Sequence, residues 1–307
     1  MSMLRVELGR FRSRRAVRVF AALLLLGVIA GANLTFAHSN RDFAGATARE
    51  RSHATSEYQA CLQSEGKPAP RPAEEPVQGR SKSDAHGDGT CTEPNLSEIH
   101  ADPRFHVKSL ADVLSNLSGS LIIFGLALGA TFVGAEWHHR TMTVTLTSEP
   151  RRTRVAIAKI AACSVAVFAG ALALLALLSG LLVVVAVFRG TTEGASTAWL
   201  SHVVSVGSRG AAAAGLAAAL GASVAFVARN TAFAMGALFV WMSVIEGFAS
   251  HLRPGSRAWL IRENAAAFVA QSADSVRSGL ASGLLLAVYG ALFVCMAVVT
   301  FRRRDVA

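Results

Sequence analysis

Six long apolar runs separate the polar residues of this 307-residue chain into a few short blocks. The runs span about 17–37, 113–134, 155–187, 210–228, 231–250 and 279–300. A helix needs about 18 or more mostly apolar residues to cross a hydrocarbon core roughly 30 Å thick, and each run meets that length. The third is long enough to tilt or to project beyond the bilayer. The fourth, GAAAAGLAAALGASVAFVA, is poor in large side chains but carries no charge, and its Ala and Gly content suits close helix packing. Only Arg229 and Asn230 separate it from the fifth, which predicts a helical hairpin. With 52% hydrophobic and 16% charged residues and a mean hydropathy of +0.42, the composition excludes an ordinary soluble domain. The expected fold is an all-α integral membrane protein with six transmembrane helices.

Lys and Arg in short flanks set orientation, because such residues stay on the cytoplasmic side. Arg5, Arg10, Arg12, Arg14, Arg15 and Arg18 precede the first run against a single acid, Glu7. The turn between the second and third runs holds Arg140, Arg151, Arg152, Arg154 and Lys159; the next such turn holds Arg229, and the tail holds Arg302, Arg303 and Arg304. Both termini are therefore expected in the cytoplasm and the protein in the cytoplasmic (inner) membrane. The net charge of +10 is then a topology signal, and nucleic acid is not an expected partner. Arg253, Arg257, Arg262 and Arg277 lie on the opposite side, spread too thinly to reverse the assignment. The basic segment and apolar run at the N-terminus also fit a secretory leader, but the run is expected to stay as span 1 (17–37), preceded by a cytoplasmic segment (1–16).

Residues 38–108 form a hydrophilic extracytoplasmic insertion with nine bases, eleven acids, five His and six of the chain's eight Pro. Its Pro- and Gly-rich middle cannot bury a core, so the insertion is expected to be largely irregular. Cys61 and Cys91 bracket that middle on the oxidising side, which suggests one disulfide. Cys163 and Cys295 lie within apolar runs and are expected only to pack. His38, His53, His86, His100 and His106 follow no compact ligand spacing, and no metal site is expected.

Catalytic signatures are missing: the chain has no GxxxxGK[ST] phosphate loop, HExxH, GxSxG or CxxC. Neither a catalytic residue nor a cofactor of its own is expected. Glu136, His138 and His139 do not make a ligand set, since neighbours on a helix point about 100° apart. The second run contains Gly125 and Gly129 at a small-xxx-small spacing, which lets another helix approach, either within the chain or across a subunit interface. Glu246 is the one acid well inside a late apolar run, and an intramembrane acid marks a candidate translocation pathway. Residues 250–278 are moderately apolar, too short and too charged to span twice, and suit short re-entrant helices.

These parts resemble the transmembrane subunit of a type-2 ABC transporter, the exporter-like permeases, in the form common in actinobacteria. The similarity covers nearly the whole chain outside 38–108. RVELGRFRSRR looks like the family's amphipathic elbow helix, with Leu4, Val6, Leu8 and Phe11 toward lipid. GAEWHHRTMTVTLTSEPRRTRVAIAK at Gly134 to Lys159 is similar to the family's Gly-Ala-Glu turn, Thr-rich helix, Pro-Arg-Arg and Lys. The ending FRRRDV looks like its tail. The resemblance implies a half-transporter pairing with a second permease copy and with two nucleotide-binding ATPase subunits, which would hold the ATP and Mg. It implies an ATPase-coupling loop at 135–154 that includes Glu136, Trp137, Arg140, Thr141, Glu149, Pro150, Arg151 and Arg152, with spans 2 to 6 and the re-entrant segment making up 109–307. The large insertion departs from the family pattern. The competing expectation is a stand-alone membrane sensor or anchoring subunit whose ligand or partner site is that insertion.

Overall fold

The structure, a computed structural model, describes residues 3–39, 43–64, 104–138, 141–148, 151–252, 254–271, 275 and 277–303. Its helices are α1 (Met3–Ser13), α2 (Arg15–His38), α3 (Phe43–Ser64), α4 (Leu110–His138), α5 (Thr141–Ser148), α6 (Arg152–Arg189), α7 (Thr197–Ala228), α8 (Thr231–Val240), α9 (Glu246–Leu252), α10 (Ile261–Ala270) and α11 (Gly279–Arg303). A π-helical turn, Trp241–Ile245, joins α8 to α9. Six of the helical segments are long and apolar enough to cross a membrane: α2, Val107–Trp137, α6, α7, Thr231–Leu252 and α11. Among the described residues there is no strand, only an isolated parallel bridge between His106 and Thr191. The all-helical, six-span expectation therefore matches the architecture.

Boundaries moved where capping chemistry overrides the apolar count. α7 begins at Thr197 rather than near 210, because the Ser196 side chain accepts the Trp199 N–H (3.1 Å) and starts the helix early. The helix then tolerates His202 and Arg209, two polar residues that ended the apolar run. The hairpin at its far end is as expected. Arg229 adopts a left-handed conformation (φ 53°) and Asn230 accepts the N–H groups of Ala232 (2.8 Å) and Phe233 (3.2 Å), so two residues reverse the chain. α6 has 38 residues, or about 57 Å at the usual helical rise, and outruns a hydrocarbon core at one or both ends.

The bundle is built around α7, whose Ala- and Gly-rich surface packs on α4, α6 and α11. The contact with α4 is made by backbone. A Cβ on Gly125 would lie 2.5 Å from the Ala214 carbonyl oxygen, and one on Gly129 would collide with the carbonyl of Ala218. From the other side, a Cβ on Gly221 would strike the carbonyl of Leu126. The small-residue spacing of the second span is thus consumed within the chain. Cys163 is buried and free. Cys295 is also free but exposed, so it does not pack inside the bundle as expected.

Arg14, Glu136, Trp137, Arg229 and Phe301 gather at one end of the bundle, the terminal face, and Ser39, Phe105 and Arg189 at the other, the insertion face. There Ser39 Oγ accepts from the Phe105 N–H (3.0 Å) and donates to the Arg189 carbonyl (2.8 Å). Val107 and Thr191 extend the junction through Val107 N–H to Thr191 O (3.1 Å) and Thr191 N–H to Phe105 O (2.9 Å). The insertion leaves and re-enters the bundle at the same point. Its first part is helical, since α3 takes up 22 residues, and residues 65–103 lie outside the described residues. The α3 stretch is rich in Ala, Glu, Arg and Gln, good helix formers, and holds none of the insertion's Pro. Cys61 is disulfide-bonded; Cys91 lies outside the described residues. The segment before the last span is helical in short pieces, as expected: α9, a 3-10 turn at Pro254–Trp259, and α10.

Candidate functional site

The terminal face holds a buried network of ions assembled from three separate parts of the chain. α1 and α2 are split at Arg14, whose backbone is extended (φ −69°, ψ 133°), so α1 folds back against α6. This turns Glu7 inward. The last turn of α4 supplies Glu136, and the second turn of α6 supplies Lys159. Lys159 Nζ donates to Glu7 Oε2 (2.9 Å) and Glu136 Oε1 (3.0 Å), and lies 2.8 Å from Glu136 Oε2 without hydrogen-bond geometry. Arg14 Nη2 donates to Glu136 Oε1 (2.6 Å), and Arg10 Nη1 donates to Glu7 Oε1 (3.0 Å). Lys159, Glu7 and Glu136 are 0%, 1% and 4% exposed.

Phe132 forms the floor of this network. The Arg14 guanidinium lies 4.6 Å and the Lys159 ammonium 5.8 Å from its ring centroid, and the edge of Phe11 packs on it at 5.1 Å. Phe11 therefore faces protein rather than lipid. Leu4 and Val6 are exposed, and Leu8 is half-buried. Two carboxylates meet three cations, so every buried charge has an opposite partner, the condition under which such groups survive away from water.

The short helix α5 hangs from this network. Thr141 Oγ donates to the Glu136 carbonyl (3.4 Å), Thr145 Oγ donates to the Thr141 carbonyl (3.1 Å), and Met142 is buried. Arg10, Ser13, Arg14, Glu136, Thr141 and Thr145 border an open cavity of about 370 Å³. Trp137 sits beside the network, with Arg229 4.8 Å from its ring centroid and Phe301 6.0 Å away. Arg151 is exposed and Arg152 half-exposed at the start of α6. Arg140, Glu149 and Pro150 lie outside the described residues. Of the residues expected in a coupling loop, Glu136 is thus an interior anchor, while Thr141 and Arg151 are exposed. The sequence alone did not indicate Glu7, Arg14 or Lys159 as its partners; Lys159 stood there as a flanking base and as the Lys that closes the family-like loop pattern. One signal was present: Glu7 is the sole acid among six Arg.

Glu246 occupies a second polar center, nearer the insertion face and 1% exposed. α10 begins after Leu260, whose side chain cannot cap. The carboxylate of Glu246 takes that place, accepting the N–H groups of Ile261 (3.0 Å, Oε1) and Arg262 (2.9 Å, Oε2). These are free donors at the positive end of a helix. The π-helical turn aims Trp241 back at the same group, and its indole N–H donates to Oε1 (3.1 Å). Glu246 therefore pins α10 to the fifth span. Beside it lies an apolar cavity of about 330 Å³ bounded by Leu126, Leu220, Trp241, Met242, Ile261 and Phe293. Glu246→Gln keeps one acceptor but presents an NH₂ group to an N–H donor; it is expected to cost about 1–2 kcal/mol. Faster amide exchange at residues 261–264, with α6 and α7 unchanged, is the measurement that checks it.

Among the described residues no three His, Cys, Asp or Glu side chains group as a metal site. The fold and its two polar centers define a six-span helical bundle of the multi-pass membrane type. Comparison with family models, curated proteins and solved structures gives no match.

Proposed function

We propose that the chain is the permease subunit of an ATP-binding cassette transporter of the type-2, exporter-like form. It exports a substrate across the cytoplasmic membrane by alternating access, driven by separate ATPase subunits. In this reading the terminal face is cytoplasmic, as its excess of Arg and Lys supports, and α1 lies as an elbow along the membrane surface. The half-transporter pairs with a second permease copy.

The observation that carries the proposal is the position of α5. It hangs between α4 and α6 on the terminal face, tied to Glu136, and Glu136 is locked through Lys159 to Glu7 of α1. A partner that grips α5 would move three elements together, because the ions between them are buried and cannot exchange a protein partner for water at low cost. ATP hydrolysis is assigned to the partner because this chain has no phosphate-binding loop. The apolar cavity beside Glu246 suits an apolar portion of the substrate, and Glu246 acts as an anchor for its wall.

Arg151→Glu tests this reading, since Arg151 is exposed and the exchange reverses charge at the loop without touching the buried ions. The wild-type chain is expected to co-purify with a P-loop ATPase and to stimulate its turnover. Arg151→Glu is expected to lose at least 80–90%, roughly a tenfold weakening or about 1.4 kcal/mol, while remaining monodisperse. Stable function without any ATPase would instead favour the sensor or anchoring reading. The clasped base of the insertion at Ser39 and Phe105 gives that alternative its support.

A further inference from the structure

Next to the ion network, on the side away from α5, Arg14, Arg15, Thr131 and Thr231 border a cavity of about 480 Å³. Val17 forms part of its wall and also part of the wall of a narrower apolar groove of about 100 Å³ between α2, α4 and α6. The groove is regular. Val17, Ala21 and Leu24 of α2 step away from the mouth; Ala166, Gly170 and Leu174 of α6 step in the same direction, and Leu128, Gly125 and Leu121 of the antiparallel α4 complete the third wall.

We propose that this Arg-edged mouth and apolar groove together form a binding site for one anionic glycerophospholipid. Its phosphate lies between Arg14 and Arg15, and one acyl chain runs along the groove. Charge supports an anionic headgroup. Arg15 is exposed, no acid stands among the described residues that border the mouth, and Arg14 shares Glu136 with Lys159. A zwitterionic headgroup would bring its own cation toward two guanidinium groups, whereas a phosphate bearing a neutral alcohol would not. Shape supports an acyl chain. A Cβ on Gly170 would have nothing within 4 Å, so open space extends into the groove between two helices that otherwise pack. Because Arg14 contacts both the mouth and Glu136, a bound headgroup acts on the ion network. The assignment needs only the membrane-spanning reading, not the transporter reading.

The full chain, purified in detergent, is titrated with phosphatidylglycerol and phosphatidylcholine of equal chain length, and bound lipid is counted by native mass spectrometry. Phosphatidylglycerol is expected to bind at least about fivefold tighter, the gain of roughly one basic contact at a membrane surface. Arg15→Gln removes an exposed charge and is expected to erase most of that preference. Gly170→Leu fills the groove with a better helix former and is expected to weaken both lipids. Soluble glycerophosphoglycerol is expected not to compete, because it lacks the chain. Equal binding of the two lipids by the wild-type chain overturns the site, and that comparison needs no variant to fold. Undiminished binding by Gly170→Leu, or competition by the soluble headgroup at lipid concentrations, overturns the acyl groove.

Discussion

Replacing Lys159 by methionine is expected to destabilise the chain by about 3–5 kcal/mol, because it leaves two buried carboxylates facing one another with their shared cation gone. The two side chains have similar length and volume, so the loss reads charge rather than packing. Glu7 and Glu136 are 1% and 4% exposed, too little for water to replace the ammonium. Arg14 and Arg10 remain, but each donates to one acid alone, so neither bridges the two carboxylates as Lys159 does. The triple exchange Glu7→Gln, Glu136→Gln, Lys159→Met removes the charges together and is expected to recover most of the loss, since buried ion pairs often add little net stability over neutral replacements. Thermal unfolding of the detergent-purified variants, with size-exclusion yield, makes the comparison. A single variant that melts with the wild type would mean that Lys159 is not the hub of the network.

The six spans could be read because burial in lipid demands a local property, a long stretch without charge, and that demand is written in consecutive residues. The ion network could not. Glu7 and Lys159 stand 152 positions apart, and nothing near either one indicates the other. Counting flanking bases treats Arg14 and Lys159 alike, as solvated charges that set orientation, whereas the break at Arg14 turns one face of α1 inward and makes both structural. Glu246 was visible as an acid inside an apolar run, but its partners are backbone N–H groups of a helix 15 and 16 residues further on. They need a carboxylate only because Leu260 stands where a Ser or Asp would have capped. α3 was obscured for a different reason: the Pro-rich residues after it dominate the composition of the insertion, and an average over 71 residues hides a helix of 22.

Gly129→Leu is expected to cost about 3 kcal/mol or more, with Gly129→Ala at about 1–3 kcal/mol. The reason is what a side chain at this position would meet. A Cβ there would collide with the carbonyl of Ala218 and come within 2.8 Å of the Ala222 nitrogen, both of them main-chain atoms of α7. No rotamer change relieves that contact, so α4 and α7 must separate, and α7 also carries the contacts with α6 and α11. For the same reason Ala218→Gly is expected not to rescue Gly129→Ala, because the side chain it removes is not the obstacle. Gly119 on the same helix supplies the control: a Cβ there meets nothing within 4 Å, and Gly119→Ala is expected to be neutral or to stabilise by up to about 1 kcal/mol through helix propensity. Thermal midpoints in one detergent separate the cases. If Gly129→Ala melted like Gly119→Ala, the backbone contact between α4 and α7 would not be what holds the bundle closed.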